Sequence, residues 1–500
     1  MKKLLLLILI STISISETLN LSISSNPARL NPLIATDSTS SEITRWIFDS
    51  LVKYDKNAKI VPHIAKSYKF LDKTTLLFDI RDDVFFSDGV QLTADDIVFT
   101  YELLVSDKIF TPYASSFRFV ESVKKIDKFK VEIKYTKPYY KALEIWLLDI
   151  LPKHKLESEK DIMTSEFNKK PIGTGSYTLK RLKNSEKIEL ELNKNYFLKN
   201  ADIENIVYKF IPNRNTNFLM LKAKKIDLLS LNPIQLAKQI DKNFLKDFNI
   251  VRSDGQSYTY VGFNLKLKKF SDIRVREAIN LTIDKKEIID ILFFGYAKEC
   301  NGPFLKGSFA YNENIKSPKQ NLLKAKKLLK EAGFNDKNPL EFELITNSNN
   351  NLRVYVSQII QHQLSKIGIK VKIKAIEWQA FLNTVIHPRA FEAIVLGWSL
   401  PLMPSAYSIW HSKSNFMGGF NFISYKNEKV DRLIEKAEEE IDIEKLSKTY
   451  KEIFKLIVED YPYIFLYVPD SVRAIDKKIK NVEDSITGIW HNQRDWKIEK

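Results

Sequence analysis

The run from Gly397 to His411, GWSLPLMPSAYSIWH, concentrates the side chains of this chain best suited to hold a small molecule. Trp398, Tyr407 and Trp410 each offer a large flat face with one polar edge, able to pack on a planar or apolar group while making one directed hydrogen bond. The run follows Phe391 to Leu396, which reads as a buried strand, so the aromatics stand where a loop can project into a cleft. Bond-making chemistry finds no comparable set. Gly173-Thr174-Gly175 lacks the Gly-Lys-Ser/Thr ending of a phosphate-binding loop and reads as a turn. No G-x-S-x-G elbow occurs. The six histidines, His63, His154, His362, His387, His411 and His491, form neither H-E-x-x-H nor any close metal-ligand spacing. The expectation is a binding protein without catalysis and without a cofactor.

The elements that position this cluster read as alternating helices and strands. Leu19, Leu21 and Ile23 alternate with polar residues as a strand does, and Ile43, Ile47 and Leu51 mark a helix face. Thr93 can cap a helix through its hydroxyl, with Asp96 three residues on, after a tight Ser87-Asp88-Gly89 turn. Further on, helical stripes end at Gly333 and Gly368, and a strand over Ile369 to Ala375 follows the second directly. A helix over Leu446 to Ile457 and a strand over Tyr463 to Val468 complete the pattern, which is that of an α/β fold with at least partly parallel strands.

Composition narrows the function classes. The formal charge of +16 comes from 78 Lys+Arg against 62 Asp+Glu, but the lysines are spread along the chain with no aromatic-interleaved basic stripe, so nucleic acid is not an expected partner. Cys300 is the only cysteine, and 500 residues are far above the size that needs disulfide staples. Lys2 and Lys3 precede a short apolar run, Leu4 to Ile10, and Ser14-Ile15-Ser16 supplies small residues for cleavage, the pattern of an export signal over residues 1–16. That run is too short to span a bilayer, which takes about 20 residues. No cysteine follows it, so a lipid anchor is not expected.

Several segments share wording with one family. LFDIRDDVFFSDGVQLTADDIVFTY (Leu77 to Tyr101), LNPLIATDSTSSEITRWIFDSLVKYD (Leu30 to Asp55), PIGTGSY (Pro171 to Tyr177), YTYVGFN (Tyr258 to Asn264) and DIRVREAINLTID (Asp272 to Asp284) together resemble the bacterial family 5 extracellular solute-binding proteins, the dipeptide, oligopeptide and nickel receptors of ABC importers. The resemblance implies a two-lobed periplasmic binding protein, type II-like, with an extra inserted domain and a central cleft. The implied organisation is lobe I over 17–54, 170–269 and 480–500, the inserted domain over 55–169, and lobe II over 270–479. It implies a periplasmic monomer that closes on a short peptide or another small solute and docks on an inner-membrane permease. The ligand-binding residues it points to are Gly397, Trp398, Ser399 and Tyr407, with Asp37, Tyr260 and Asn264 from the other matching segments.

One departure from the family pattern bears on the ligand. Peptide-binding relatives often carry an aspartate shortly after the tryptophan, which neutralises the ligand's ammonium. Here Ser399 to Ala406 contains no acid. A buried ammonium without a partner is costly, so either Asp37, Asp149 or Glu377 supplies the charge, or the ligand has no buried ammonium. The second possibility keeps a nickel chelate open, with His411 or His491 as an imidazole ligand. A chaperone-like binder of unfolded segments is the remaining alternative, separable by tight 1:1 binding of short ligands. The export reading predicts a mature chain beginning near Glu17; N-terminal sequencing of the protein from its native cells checks this, and an intact Met1 contradicts it.

Overall fold

The computed structural model describes residues 17–199 and 201–499. The expected export signal, 1–16, lies outside the described residues. A six-stranded sheet dominates the second half, in the spatial order Ala297–Glu299, Tyr463–Pro469, Ser257–Phe263, Ala393–Ser399, Glu341–Asn347, Lys370–Ile376. Glu341–Asn347 runs parallel to both Lys370–Ile376 and Ala393–Ser399, so Asn347, Ile376 and Ser399 end on one edge. Strict alternation builds a core on each face. Tyr258, Tyr260, Ile394, Leu396, Tyr463 and Phe465 enter one core, and Val261, Phe263, Ala393, Val395, Ile464 and Leu466 the other.

The first half forms two four-stranded sheets. One has the order Thr18–Ile23, Asn205–Phe210, Lys187–Leu192, Tyr177–Lys183; the other has Ala65–Phe70, Thr75–Ile80, Lys130–Tyr135, Val120–Asp127. Both feed one continuous hydrophobic core. A three-stranded sheet, Leu228–Ser230, Ser471–Asp476, Phe248–Ser253, joins early and late chain.

The pairings locate where the chain passes between the two halves. Ser257–Phe263 already belongs to the six-stranded sheet, and Ser471–Asp476 has already left it. The crossings therefore lie at 253–257 and 469–471, ahead of the 270 and 480 expected from sequence. The matching segment Asp272 to Asp284 forms the helix Ile273–Thr282, which follows the first strand of the sheet.

Local expectations fare well where the chemistry is local. Thr93 and Asp96 form a reciprocal cap on helix Ala94–Val105. Gly333 and Gly368 take φ of +92° and +82°, where a side chain would be strained. Gly173 and Gly175 form a turn pressed on the Trp46–Ile47 backbone: a Cβ on Gly173 would lie 2.0 Å from Ile47 O. The strand expected over Phe391 to Leu396 instead runs Ala393–Ser399, which places Gly397 and Trp398 inside the sheet, opposite Thr259 and Tyr258. Glycine reads as a breaker in sequence, but here the ladder continues through it. Among the described residues no helix is long and apolar enough to cross a membrane.

The sheet of residues 65–135 touches the six-stranded half along a seam. Arg118 pairs with Glu438, which is buried, and its guanidinium lies over the Tyr407 ring at 3.5 Å. Tyr140 Oη donates to Pro404 O at 2.9 Å and lies 2.8 Å from Tyr450 Oη. Removing one partner of a buried pair costs about 3–5 kcal/mol because the other charge stays buried and unpaired. Arg118→Ala is therefore expected to loosen the seam and raise the radius of gyration of the unliganded protein in small-angle X-ray scattering; an unchanged radius would show that the seam does not hold the halves together.

Candidate functional site

Two features fix where a ligand can lie. In sheets with parallel strands, ligands collect outside the carboxyl ends. Here that edge carries Asn347, Ile376 and Ser399, and both crossings to the first half leave from the same edge, beside Ser257 and Pro469. The gap between the halves thus opens where the strands end.

Trp398 stands one residue before that end, half-buried. Its Nε1 donates to Tyr463 Oη at 3.3 Å, and its ring centroid lies 5.1 Å from Phe420 and 5.5 Å from Phe422. Tyr260 supports it from beneath: fully buried, it stacks on Tyr463 at 3.8 Å and lies parallel to Trp398 at 6.5 Å. Phe420 meets Tyr113 of the first half edge-on at 6.4 Å, and Tyr113 Oη donates to Ala35 O at 3.0 Å. An aromatic wall therefore runs from the sheet edge across the gap.

A basic group lies on the other side of Gly397. Arg353, in the first turn of helix Asn351–Ser365, sends Nη1 to Asn347 Oδ1 at 3.0 Å. A Cβ on Gly397 would lie 2.8 Å from Arg353 Nη2, so the missing side chain leaves the guanidinium its place over the strand. Arg214, at the start of helix Arg214–Lys222 in the first half, adds a like charge felt by Arg353. Burial lowers the proton affinity of both arginines, and no carboxylate among the described residues lies in ion-pair range of either. Sequence reasoning missed this pair. The available signal was that neither arginine has an acid three or four residues away on its own helix, where one would normally neutralise it.

The remaining expected site residues fall in several places. Ser399 ends the strand, exposed, opposite Ser257. Tyr407 lies in the seam, between the Arg118 guanidinium and the His411 ring, 4.3 Å from the latter. Trp410 is a core residue, 1% exposed. Asp37 caps helix Ser38–Ile47, accepting from Thr39 N and Ser40 N at 3.1 Å each. Asn264 is not brought to the site. It closes a turn by donating to Phe391 O at 3.1 Å, at the opposite end of its strand, about 20 Å from Tyr258 at roughly 3.4 Å per residue.

Both candidate imidazoles are engaged elsewhere. His411 is buried; its Nδ1 accepts from Lys413 N at 3.1 Å and its Nε2 lies 3.3 Å from Glu435. His491 Nδ1 lies 2.8 Å from Gly488 O and 3.1 Å from Ser485 Oγ. Among the described residues no group of three or more His, Cys, Asp or Glu could hold a metal ion.

Residues 59–419 match the family model described as bacterial extracellular solute-binding proteins, family 5 Middle. The oligopeptide-binding protein AppA of Bacillus subtilis is 34% identical over 495 residues, covering 95% of this chain and 89% of its own length. The structure of B. subtilis AppA in complex with a nonapeptide superposes with a TM-score of 0.92 at 31% identity, covering 97% of this chain and 100% of that one. NikZ from Campylobacter jejuni in complex with Ni(L-His) gives 0.86 at 30% identity, covering 96% and 99%.

Burial holds the proton affinity of His411 below its ordinary value, against the pull of Asp431 and Glu435. The unfolded chain then takes up this proton at higher pH than the folded one, so His411 contributes a loss of stability as pH falls below about 6.5. His411→Phe keeps the ring and removes the titration. It is expected to flatten the fall in melting temperature between pH 7.5 and 5; an unchanged slope would place the acid sensitivity elsewhere.

Proposed function

The chain belongs to family 5 of the bacterial extracellular solute-binding proteins, a two-lobed α/β fold, and from that premise we propose that it captures short peptides in the gap between its halves and delivers them to an inner-membrane ABC permease. It acts in the periplasm as a monomer without a lipid anchor, and it performs no chemistry on what it carries. The expected lobes and inserted domain correspond, in this reading, to the six-stranded half, the half carrying Thr18–Ile23, and the sheet of residues 65–135.

The observation that carries the reading is the pair of half-buried guanidiniums, Arg353 beside Gly397 and Arg214 within its electrostatic reach, with no carboxylate among the described residues in ion-pair range of either. Uncompensated buried charge is costly, and a ligand carboxylate held by both halves removes that cost only when the gap closes. Closure is then driven by the ligand, as in hinge-type capture. Main-chain hydrogen bonds and partly wet pockets complete the grip, which suits many side chains.

A nickel–histidine chelate is the second reading. It is favoured by the likeness to NikZ, whose structure holds Ni(L-His), and the same arginine pair could take a histidine carboxylate. Peptide leads because the nitrogens of His411 and His491 already face Lys413, Glu435, Gly488 and Ser485.

Native mass spectrometry of protein purified from its own periplasm is expected to show retained short peptides; retained nickel with histidine and no peptide overturns the reading. With such a peptide, Trp398→Ala is expected to weaken calorimetric binding by about 1–4 kcal/mol. Arg353→Ala is expected to cost about 2–5 kcal/mol. A C-terminally amidated peptide should no longer distinguish Arg353→Ala from the unmutated protein. Full affinity in both folded variants would move the site elsewhere.

A further inference from the structure

Three acids outside the run Ser399 to Ala406 are open as the partner of a ligand ammonium, and hydrogen bonding separates them. Asp37 is engaged at its own helix, by Thr39 N, Ser40 N and Ser40 Oγ. Glu377 is engaged likewise at helix Trp378–Phe381, its Oε2 accepting from Gln379 N at 2.8 Å and Ala380 N at 3.1 Å. Asp149 differs. Its backbone bridges Ser50, where chain passes between the two four-stranded sheets, and its carboxylate is half-buried with no donor in hydrogen-bond range among the described residues.

Among the described residues, no cation lies in ion-pair range of Asp149. Asp49 lies nearby, with Oδ1 facing His63 Nε2 at 2.8 Å and Tyr196 Oη at 3.5 Å. Tyr113 is also within electrostatic reach; burial, Asp37 and Asp149 push its phenol up to about 12. Tyr113 is the residue that joins the first half to Phe420 and so to Trp398. Through Tyr113, Asp149 is thus coupled electrostatically to the aromatic wall. Burial, with Asp49 adding like-charge repulsion, pushes its carboxyl up to about 8.

Resting on the peptide reading above, we propose that Asp149 is the counter-charge for the α-ammonium of the captured peptide, replacing the acid absent after Trp398. The empty site then carries a proton at neutral pH, and an incoming ammonium expels it. Below about pH 7.5, where a peptide amine is still mostly protonated, binding tightens as pH rises, by about tenfold per pH unit when one proton is released. An N-acetylated peptide has no ammonium and releases none.

Calorimetry with a free and an N-acetylated form of one tripeptide, between pH 6 and 7.5 in buffers of different ionisation enthalpy, tests this. The unmutated protein is expected to prefer the free form and to release close to one proton on binding it alone. Asp149→Asn is expected to abolish the proton release and bring the two forms within about twofold, with acetylated-peptide binding retained as the sign of an intact fold. Equal binding of both forms by the unmutated protein overturns the proposal while leaving peptide binding standing, as does proton release that survives in Asp149→Asn. Binding of nickel with free histidine, and of neither peptide, overturns the peptide reading itself. Should Asp149→Asn fail to fold, the paired peptides on the unmutated protein decide alone.

Discussion

The constraint on which the rest depends is a shared edge. The parallel strands of the six-stranded sheet end at Asn347, Ile376 and Ser399, and the two crossings to the other half leave from that same edge. The chain passes between the halves at 253–257 and 469–471, beside those strand ends. Trp398, Arg353 and Gly397 cluster there because the strand and the following helix deliver them there.

Electrostatics bears on what the gap can hold. Among the described residues, Arg353 and Arg214 have no carboxylate in ion-pair range, and the Asp149 carboxyl has no cation beside it. Each is costly when water leaves unless a partner of opposite sign arrives. Other buried charges are paired, as at Arg118–Glu438 and Lys141–Glu144, or met by carbonyls and hydroxyls, as at Arg276 and Lys285. In the proposed reading, a zwitterionic ligand satisfies both groups at once, and the packed rings of Trp398, Phe420 and Phe422 suit varied side chains. The Arg118–Glu438 seam, with Tyr140 on Pro404, offers a second contact between halves that is independent of the ligand.

How far the sequence announced this depends on range. Contacts within a few residues were legible: the Thr93–Asp96 cap, the glycine stops at Gly333 and Gly368, and the alternation over Ile369 to Ala375. Trp398 was legible as an aromatic near a strand, but its place within the strand was not, because Gly397 interrupts the apolar run. Asn264 was drawn in by the matching segment YTYVGFN, though strand direction carries it to the far edge of the sheet. The arginine pair joins residues 139 positions apart, and only the fold brings them within reach of each other. Asp37, Asp149 and Glu377 looked equivalent in sequence, since nothing there tells a capping carboxylate from an unpartnered one.

The central claim is that a peptide lies at the carboxyl edge, with its carboxylate between Arg353 and Arg214 and its chain along Trp398. A crystal structure of the protein grown with a short peptide tests this most directly. The account predicts density for the peptide against Trp398, with a terminal carboxylate within hydrogen-bond distance of the Arg353 guanidinium. Density for the peptide away from that edge, or at the edge with Arg353 still unpaired, would contradict it.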